Sequence, residues 1–125
     1  MTSEQFDQEN QFLSEQLEWQ SKKSNKLTDL LDILILSQLW AKPMGGYQLR
    51  KDLFKEFGIL LSYGTIYPHL KNLEKSKFVF EDSTLGKLGR KKLYKLTPMG
   101  TSTLKFNALA VVKIANSLRP ILDSR

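Results

Sequence analysis

The chain has 125 residues, the usual size of one domain, and its 41% hydrophobic and 26% charged content is that of a folded rather than a disordered protein. Cysteine is absent, which excludes disulfide frameworks, zinc–thiolate sites and thiol nucleophiles. The N-terminus does not resemble a signal peptide, and the longest apolar run is far shorter than the ~20 residues of a membrane span. We therefore expect a cytoplasmic protein with no membrane partner.

The formal net charge of +6 is unevenly distributed along the chain. Residues 1–21, here called the acidic arm, contain no Lys or Arg but five acids, namely Glu4, Asp7, Glu9, Glu15 and Glu18. Residues 22–125 contain all 19 basic residues and the other 8 acidic residues, so they carry a formal net charge of +11. This separation indicates a polyanion-binding body; the alternative is a lysine-rich surface that serves solubility alone.

The first 24 residues are predicted to form a helix. Phe6, Leu13 and Leu17 recur at helical spacing, and Phe12 and Trp19 lie on a neighbouring stripe. Because single helices are marginal in water, this one should pack on the body or on a partner subunit; the alternative is a frayed tail.

Three further helices follow in the predicted order. The first, from Lys26 to Trp40, has apolar residues on nearly every face and should be buried on most sides. The second, Tyr47 to Phe57, is predicted to end with Gly58 at its C′ position. The third should start near Tyr63, with Ser62 as its N-cap.

The third helix has a polar and basic outward face. Its inner face consists of Ile66, Leu70 and Leu73, and Pro68 predicts a bend early in the helix. The residues that turn outward are Gly64, Thr65, Pro68, Lys71, Asn72 and Lys75, with Tyr67 at the edge.

A β-hairpin and a long helix complete the chain. The hairpin strands are Phe78 to Glu81 and Lys92 to Leu96, and Lys87, Arg90, Lys91 and Lys92 make its tip and returning strand basic. Thr97 is predicted to cap the last helix, which Pro120 should kink or end. A narrow seam of coiled-coil type predicts dimerisation through Leu104, Ala108, Val111, Ala115, Leu118 and Leu122.

This order predicts a mainly α fold with a small β-hairpin wing: a winged helix-turn-helix with extra N- and C-terminal helices. The expected organisation is an acidic N-terminal helix at 1–24, a DNA-binding domain at 25–97 and a dimerisation helix at 98–125. The third helix would enter the major groove of double-stranded DNA, with Lys71 and Lys75 on phosphates and Thr65 and Asn72 at base edges. No cofactor is expected.

The segments Gly46–Leu49, Leu61–Glu74 and Gly89–Gly100 resemble the PadR family of winged-helix transcriptional regulators. The resemblance spans about Leu27 to Leu104 and is most specific in the Gly-Thr-Ile-Tyr-Pro run and in the Arg-containing wing that ends in Leu-Thr-x-x-Gly.

The resemblance implies a homodimer, joined through terminal helices, that binds pseudo-palindromic promoter DNA and commonly represses. It also implies that Ser62, Tyr63, Thr65, Tyr67, Pro68 and Lys71 lie at the DNA face, with Arg90 and Lys91 in the wing. Some members bind phenolic or drug-like effectors, so a small aromatic effector is a candidate partner; Trp19 and Trp40 could line its pocket, although core packing is the favoured role for both.

This sequence departs from the family pattern in two ways. Lys77 stands where the family usually has glycine before the first wing strand, and the single C-terminal helix resembles that of the shorter members.

Other functions are less well supported by the sequence. His69 is the only histidine, with no metal-ligand cluster near it in the sequence, and no phosphate-binding loop motif occurs, so an enzyme is not expected. Two alternatives remain open: a winged helix that binds a protein partner, and an architectural protein that binds DNA without sequence preference. The acidic arm could also screen the basic surface at modest salt.

Overall fold

The computed structural model describes residues 4–5, 7–11, 29–82 and 92–124. Residues 4–5 and 7–11 are helical and exposed, and the rest of the predicted N-terminal helix, with its apolar residues, lies outside the described residues. The elements that follow are α1 (Leu30–Ala41), α2 (Gly46–Phe57), α3 (Tyr63–Lys75), β1 (Val79–Asp82), β2 (Leu93–Leu96) and α4 (Pro98–Asp123). The predicted mainly α fold with a hairpin wing is confirmed. None of the described helices is both long and apolar enough to cross a bilayer.

Helix α1 begins later than its apolar pattern predicts. Asp29 is its N-cap, and the carboxylate accepts a hydrogen bond from the Leu31 amide at 2.9 Å. The predicted start at Lys26 is therefore wrong. The Asp29 cap fixes the first residue of the helix, whereas hydrophobic periodicity locates a helix boundary only approximately. Ile35 and Leu36 are fully buried, whereas Trp40 is 65% exposed.

The core lies between the three short helices, the wing and the first turns of α4. Its residues are apolar at the spacing that each element requires. They are Ile35, Leu36, Leu39, Met44, Leu49, Leu53, Ile66, Leu70, Leu73, Phe78, Val79, Tyr94 and Leu104.

The C-terminal end of α2 and the N-terminal end of α3 are capped in different ways. Gly58 has a left-handed backbone, with φ of 69°, and its amide donates to the Phe54 carbonyl at 2.9 Å, which confirms the predicted C-terminal glycine of α2. Ser62 occupies the N-cap position of α3, but its side chain makes no capping hydrogen bond; its Oγ instead lies 3.1 Å from Oγ1 of Thr65. Helix α3 continues through Pro68.

Helix α3 ends in a Schellman motif built on Lys77. The amides of Phe78 and Lys77 donate to the carbonyls of Leu73 and Glu74 at 2.9 and 3.0 Å, which requires a left-handed residue at Lys77. Lys77 has φ of 65°, a conformation that favours glycine. The departure from the family pattern is therefore one of residue type only: Lys77 adopts the left-handed backbone conformation that glycine would adopt at this position.

Wing and body are joined at two places. Strands β1 and β2 are antiparallel, with Val79 opposite Leu96, and the α1–α2 connector adds a two-way bridge in which Met44 and Tyr94 exchange backbone hydrogen bonds of 2.8 and 3.2 Å. Burial, with the nearby charges of Glu81 and Glu74, raises the pKa of the Tyr94 phenol. The base of the wing is therefore held to the α1–α2 connector by backbone hydrogen bonds of Tyr94, whose side chain is buried.

The second junction is the start of α4. Thr97 Oγ1 accepts from the Gly100 amide at 2.9 Å, as the predicted cap should, and donates to the Lys77 carbonyl at 2.6 Å. Gly100 lies so close to β1 that a Cβ on it would sit 2.0 Å from the Phe78 carbonyl oxygen. Glycine is therefore required for α4 to begin directly against the wing.

Candidate nucleic-acid interface

The outward face of α3 is accessible along its whole length. Ile66, Leu70 and Leu73 are buried, as the helical pattern predicts. The predicted contact residues of this helix are all exposed: Ser62, Tyr63, Thr65, Tyr67, Pro68, Lys71, Asn72 and Lys75. Hydroxyl, amide and ammonium groups thus share one helical face, which is the chemistry that phosphates and base edges require.

A stack of side chains organises the N-terminal end of this face. The guanidinium carbon of Arg50 lies 3.9 Å from the centre of the Tyr63 ring, and Tyr63 stacks on Tyr67 with ring centres 5.8 Å apart. Arg50 is itself fixed, because its Nε donates to the Leu61 carbonyl at 2.7 Å. Tyr67 continues the stack to α2, where a Cβ on Gly46 would sit 3.0 Å from the phenol oxygen.

A cleft of about 640 Å³ opens beside this stack, between the start of α2, Tyr67 and the base of the wing. Lys42 and Lys92 contribute positive charge to its walls, and Tyr47 contributes an aromatic ring. One cleft therefore brings together Tyr67 of α3, Lys42 of the α1–α2 connector and Lys92 at the base of the wing.

The predicted wing residues are described only in part. Lys92 is exposed at the start of β2 and lines the cleft. Lys87, Arg90 and Lys91 lie outside the described residues, so their assignment to the DNA surface stays a prediction.

His69 has two carboxylates next to it, both from a distant part of the sequence. Its Nδ1 donates to Asp32 Oδ1 at 2.7 Å, and Nε2 lies 3.8 Å from Asp29 Oδ2. Asp29, Asp32 and His69 thus bring three possible ligand atoms within 4.8 Å of one another, although the two acids are distant from His69 in the sequence. With both ring nitrogens facing carboxylates, the arrangement acts as a polar link between α3 and the start of α1.

The exposed apolar surface of helix α4 is wider than the narrow seam that the sequence predicts. Leu104 is buried in the core of its own chain, and Ala108 and Val111 are half-buried, so the predicted seam is accessible only from its middle onward. Large apolar side chains are nonetheless exposed on several faces of the helix: Phe106, Leu109, Val112, Ile114, Leu118, Ile121 and Leu122. A helix that is apolar on several faces is normally buried by other helices.

Three residues of this surface were not predicted from the sequence: Lys42, Tyr47 and Arg50. Only Tyr47 carried a signal, because it belongs to the Gly-Tyr-Gln-Leu segment that resembles the PadR family. Trp40, suggested for an effector pocket, lines neither this cleft nor a smaller one beside α2, and Trp19 lies outside the described residues.

Comparison with known proteins identifies the family. The profile of the transcriptional regulator PadR-like family matches residues 35–106. A candidate transcriptional regulator from Thermoplasma acidophilum has 30% identity over 75% of this chain and 90% of its own, with a TM-score of 0.63. A PadR family transcription regulator from Clostridium difficile has 28% identity over 75% and 99%, with a TM-score of 0.62.

A PadR-like transcriptional regulator from Bacillus cereus has the higher TM-score of 0.70, with 25% identity over 82% of this chain and 100% of its own. No functionally curated protein matches the chain significantly. The family profile covers more than half of the sequence, and its match contains the exposed α3 face, the Tyr63–Tyr67 stack and the junction at Gly100. The chain therefore belongs to the PadR-like family of DNA-binding transcriptional regulators.

Proposed function

We propose that the protein is a homodimeric, sequence-specific regulator that binds a pseudo-palindromic operator and represses by covering the promoter. The observation that carries this proposal is the exposed face of α3, on which Thr65, Lys71 and Asn72 are all accessible. Asn72 suits an adenine edge, Lys71 suits a phosphate, and Thr65 suits either a phosphate or a thymine methyl.

The proposed dimer forms through α4, within residues 98–125, and carries two DNA-binding domains of residues 25–97. Support comes from the apolar side chains that α4 exposes on several faces, since burying them against a second copy removes them from water. A two-fold axis through α4 would present two α3 helices to successive major grooves, about 34 Å apart. If such a dimer responds to a small aromatic effector, Trp40, exposed at the end of α1, is a candidate contact.

Fluorescence anisotropy tests the proposal. A duplex from the region upstream of the protein's own gene and a shuffled duplex of equal composition are each titrated with protein at several salt concentrations. We expect a preference for the native duplex that persists at ~0.15 M salt, with an affinity that falls as salt rises because phosphate contacts release counterions. Equal affinities for both duplexes and an equally steep salt dependence would instead identify an architectural protein.

A further inference from the structure

One side of α2 is both apolar and basic and is uncovered in the described residues. Its outer face, defined here as Tyr47, Arg50, Lys51, Phe54 and Phe57 together with Leu60 of the following connector, also borders a small groove. The exposed fractions of the apolar members are 65% for Tyr47, 55% for Phe54, 47% for Phe57 and 80% for Leu60. A contiguous apolar patch of this kind usually marks an interaction surface.

The acids of α2 are kept off this face. Asp52 accepts a hydrogen bond from Gln48 Nε2 at 2.7 Å, and Glu56 accepts one from Gln38 Nε2 of α1 at 2.8 Å. On the helical wheel both acids lie about 160° from Phe54 and at least about 100° from Lys51, outside the outer face. The outer face therefore combines aromatic and aliphatic surface with positive charge alone.

We propose that the acidic arm of the same chain, residues 1–21, docks on the outer face of α2. The arm has five acids and no base, and it also carries apolar residues at helical spacing, so it matches the face in both charge and hydrophobicity. The chain is also long enough for the start of the arm to reach this face, because residues 12–28 can span up to ~56 Å when extended. Residues 4–5 and 7–11, already helical, supply the start of the docking element.

Two other occupants fit the face less well. A second copy of the same face would bring Arg50 and Lys51 against their own counterparts, and like charges oppose such a contact. DNA would suit the positive charge but would leave Phe54, Phe57 and Leu60 without an apolar partner. An acidic, amphipathic segment satisfies both requirements.

Docking would also compete with DNA, and this consequence rests on the proposed function. Arg50 belongs to the outer face and packs on Tyr63, which lies on the exposed face of α3. An arm seated on α2 would therefore place its carboxylates next to the surface that receives the phosphates, where like charges repel.

Paramagnetic broadening tests docking in the full chain without DNA. Because the chain has no cysteine, Gln8→Cys carries a single nitroxide label. We expect broadening of the amides of Lys51, Phe54 and Leu60 at ~0.05 M salt, and its loss at ~1 M salt, where the Debye length is about 3 Å. Lys51→Glu should also remove it, whereas the matched reversal Lys113→Glu on α4 should not.

Three results would overturn docking on the same chain. They are an absence of salt-dependent broadening, broadening centred on α4 near Val112 and Ile114, and broadening that is fully reproduced when spin-labelled chains of natural isotope abundance are mixed with isotope-enriched chains that carry no spin label. The last would place the arm on a second copy instead of on its own chain.

A DNA titration tests the competition separately. The full chain with its arm neutralised (Glu4→Gln, Asp7→Asn, Glu9→Gln, Glu15→Gln and Glu18→Gln) should bind the same duplex about fivefold more tightly at low salt. The gain should be smaller in a Lys51→Glu chain, where the arm no longer docks and only the change in net charge acts. Unchanged affinity would overturn competition. If neither form binds DNA, the proposed function fails, while docking is still decided by the broadening experiment.

Discussion

Arg50 of α2 stands over the ring of Tyr63 of α3, with its guanidinium carbon 3.9 Å from the ring centre. The same side chain donates from Nε to the Leu61 carbonyl at 2.7 Å, so one arginine fixes both the α2–α3 connector and the first aromatic ring of the α3 face. Lysine has the same charge but neither the planar group nor the Nε donor.

Arg50→Lys should therefore lower the free energy of unfolding by about 1–2 kcal/mol, through loss of the stacked cation and of a charge-assisted hydrogen bond. It should also weaken specific DNA binding, because Tyr63 loses its support. Urea denaturation and anisotropy measure the two effects. The matched exchange Lys51→Arg, at an exposed neighbour, should change stability little; an equal loss in both variants would mean that the stack contributes nothing.

Lys77→Gly should stabilise the protein. Lys77 holds a left-handed conformation with φ of 65°, which glycine adopts without strain. We expect a gain of about 0.5–1 kcal/mol in the free energy of unfolding, measured by thermal or urea denaturation. The control is Lys75→Gly, two residues earlier in helical backbone, which should lose about 1 kcal/mol. A loss of stability in both variants would contradict the assigned backbone geometry.

Gly100→Ala should be strongly destabilising, because the new Cβ would meet the Phe78 carbonyl oxygen at 2.0 Å and must displace backbone. We expect a loss of about 2–3 kcal/mol or more, with separation of the wing from α4. The same substitution at Gly64 meets only Ser62 Oγ, at 3.7 Å, and should gain about 0.5 kcal/mol from improved helix propensity. Similar effects at the two sites would exclude the close contact as the cause.

The combined change Val111→Asp and Ala115→Asp should convert the proposed dimer to monomers. Val111 is half-buried and Ala115 is exposed, so both are accessible to a second copy of α4. An unpaired charge buried between helices is costly. Light scattering gives the molar mass directly. Asn116→Asp with Ser117→Asp adds the same charge to polar positions of α4 and should leave the dimer intact. A double mutant of the seam that keeps the dimer mass would reject dimerisation through this part of α4.

Features set by neighbouring residues were predictable from the sequence. The inner face of α3 follows from the spacing of Ile66, Leu70 and Leu73, and the end of α2 follows from Gly58, because helical period and left-handed glycine act over a few residues. The start of α1 was misplaced because hydrophobic pattern and capping disagree there, and the Asp29 cap determines the boundary.

Contacts between distant segments could not be predicted in the same way. His69 and Asp32 are 37 residues apart and meet only because α1 and α3 pack together. Arg50 and Tyr63 belong to different helices, so nothing local marks the arginine as support for the α3 face. Ser62 carried the signal of a capping residue, but its hydroxyl lies next to that of Thr65, a competition that propensity does not resolve.

The most direct test of the central claim, that the face of α3 and the wing bind DNA, is one anisotropy titration of charge reversals on the native upstream duplex. Lys71→Glu combined with Arg90→Glu should weaken binding about 100-fold or more and reduce the salt dependence, because phosphate contacts are lost. Lys105→Glu combined with Lys113→Glu, which changes the same charge on exposed positions of α4, should bind nearly as tightly as the unaltered protein, apart from the effect of net charge. Equal affinities for the two variants would contradict the assignment of the DNA surface to α3 and the wing.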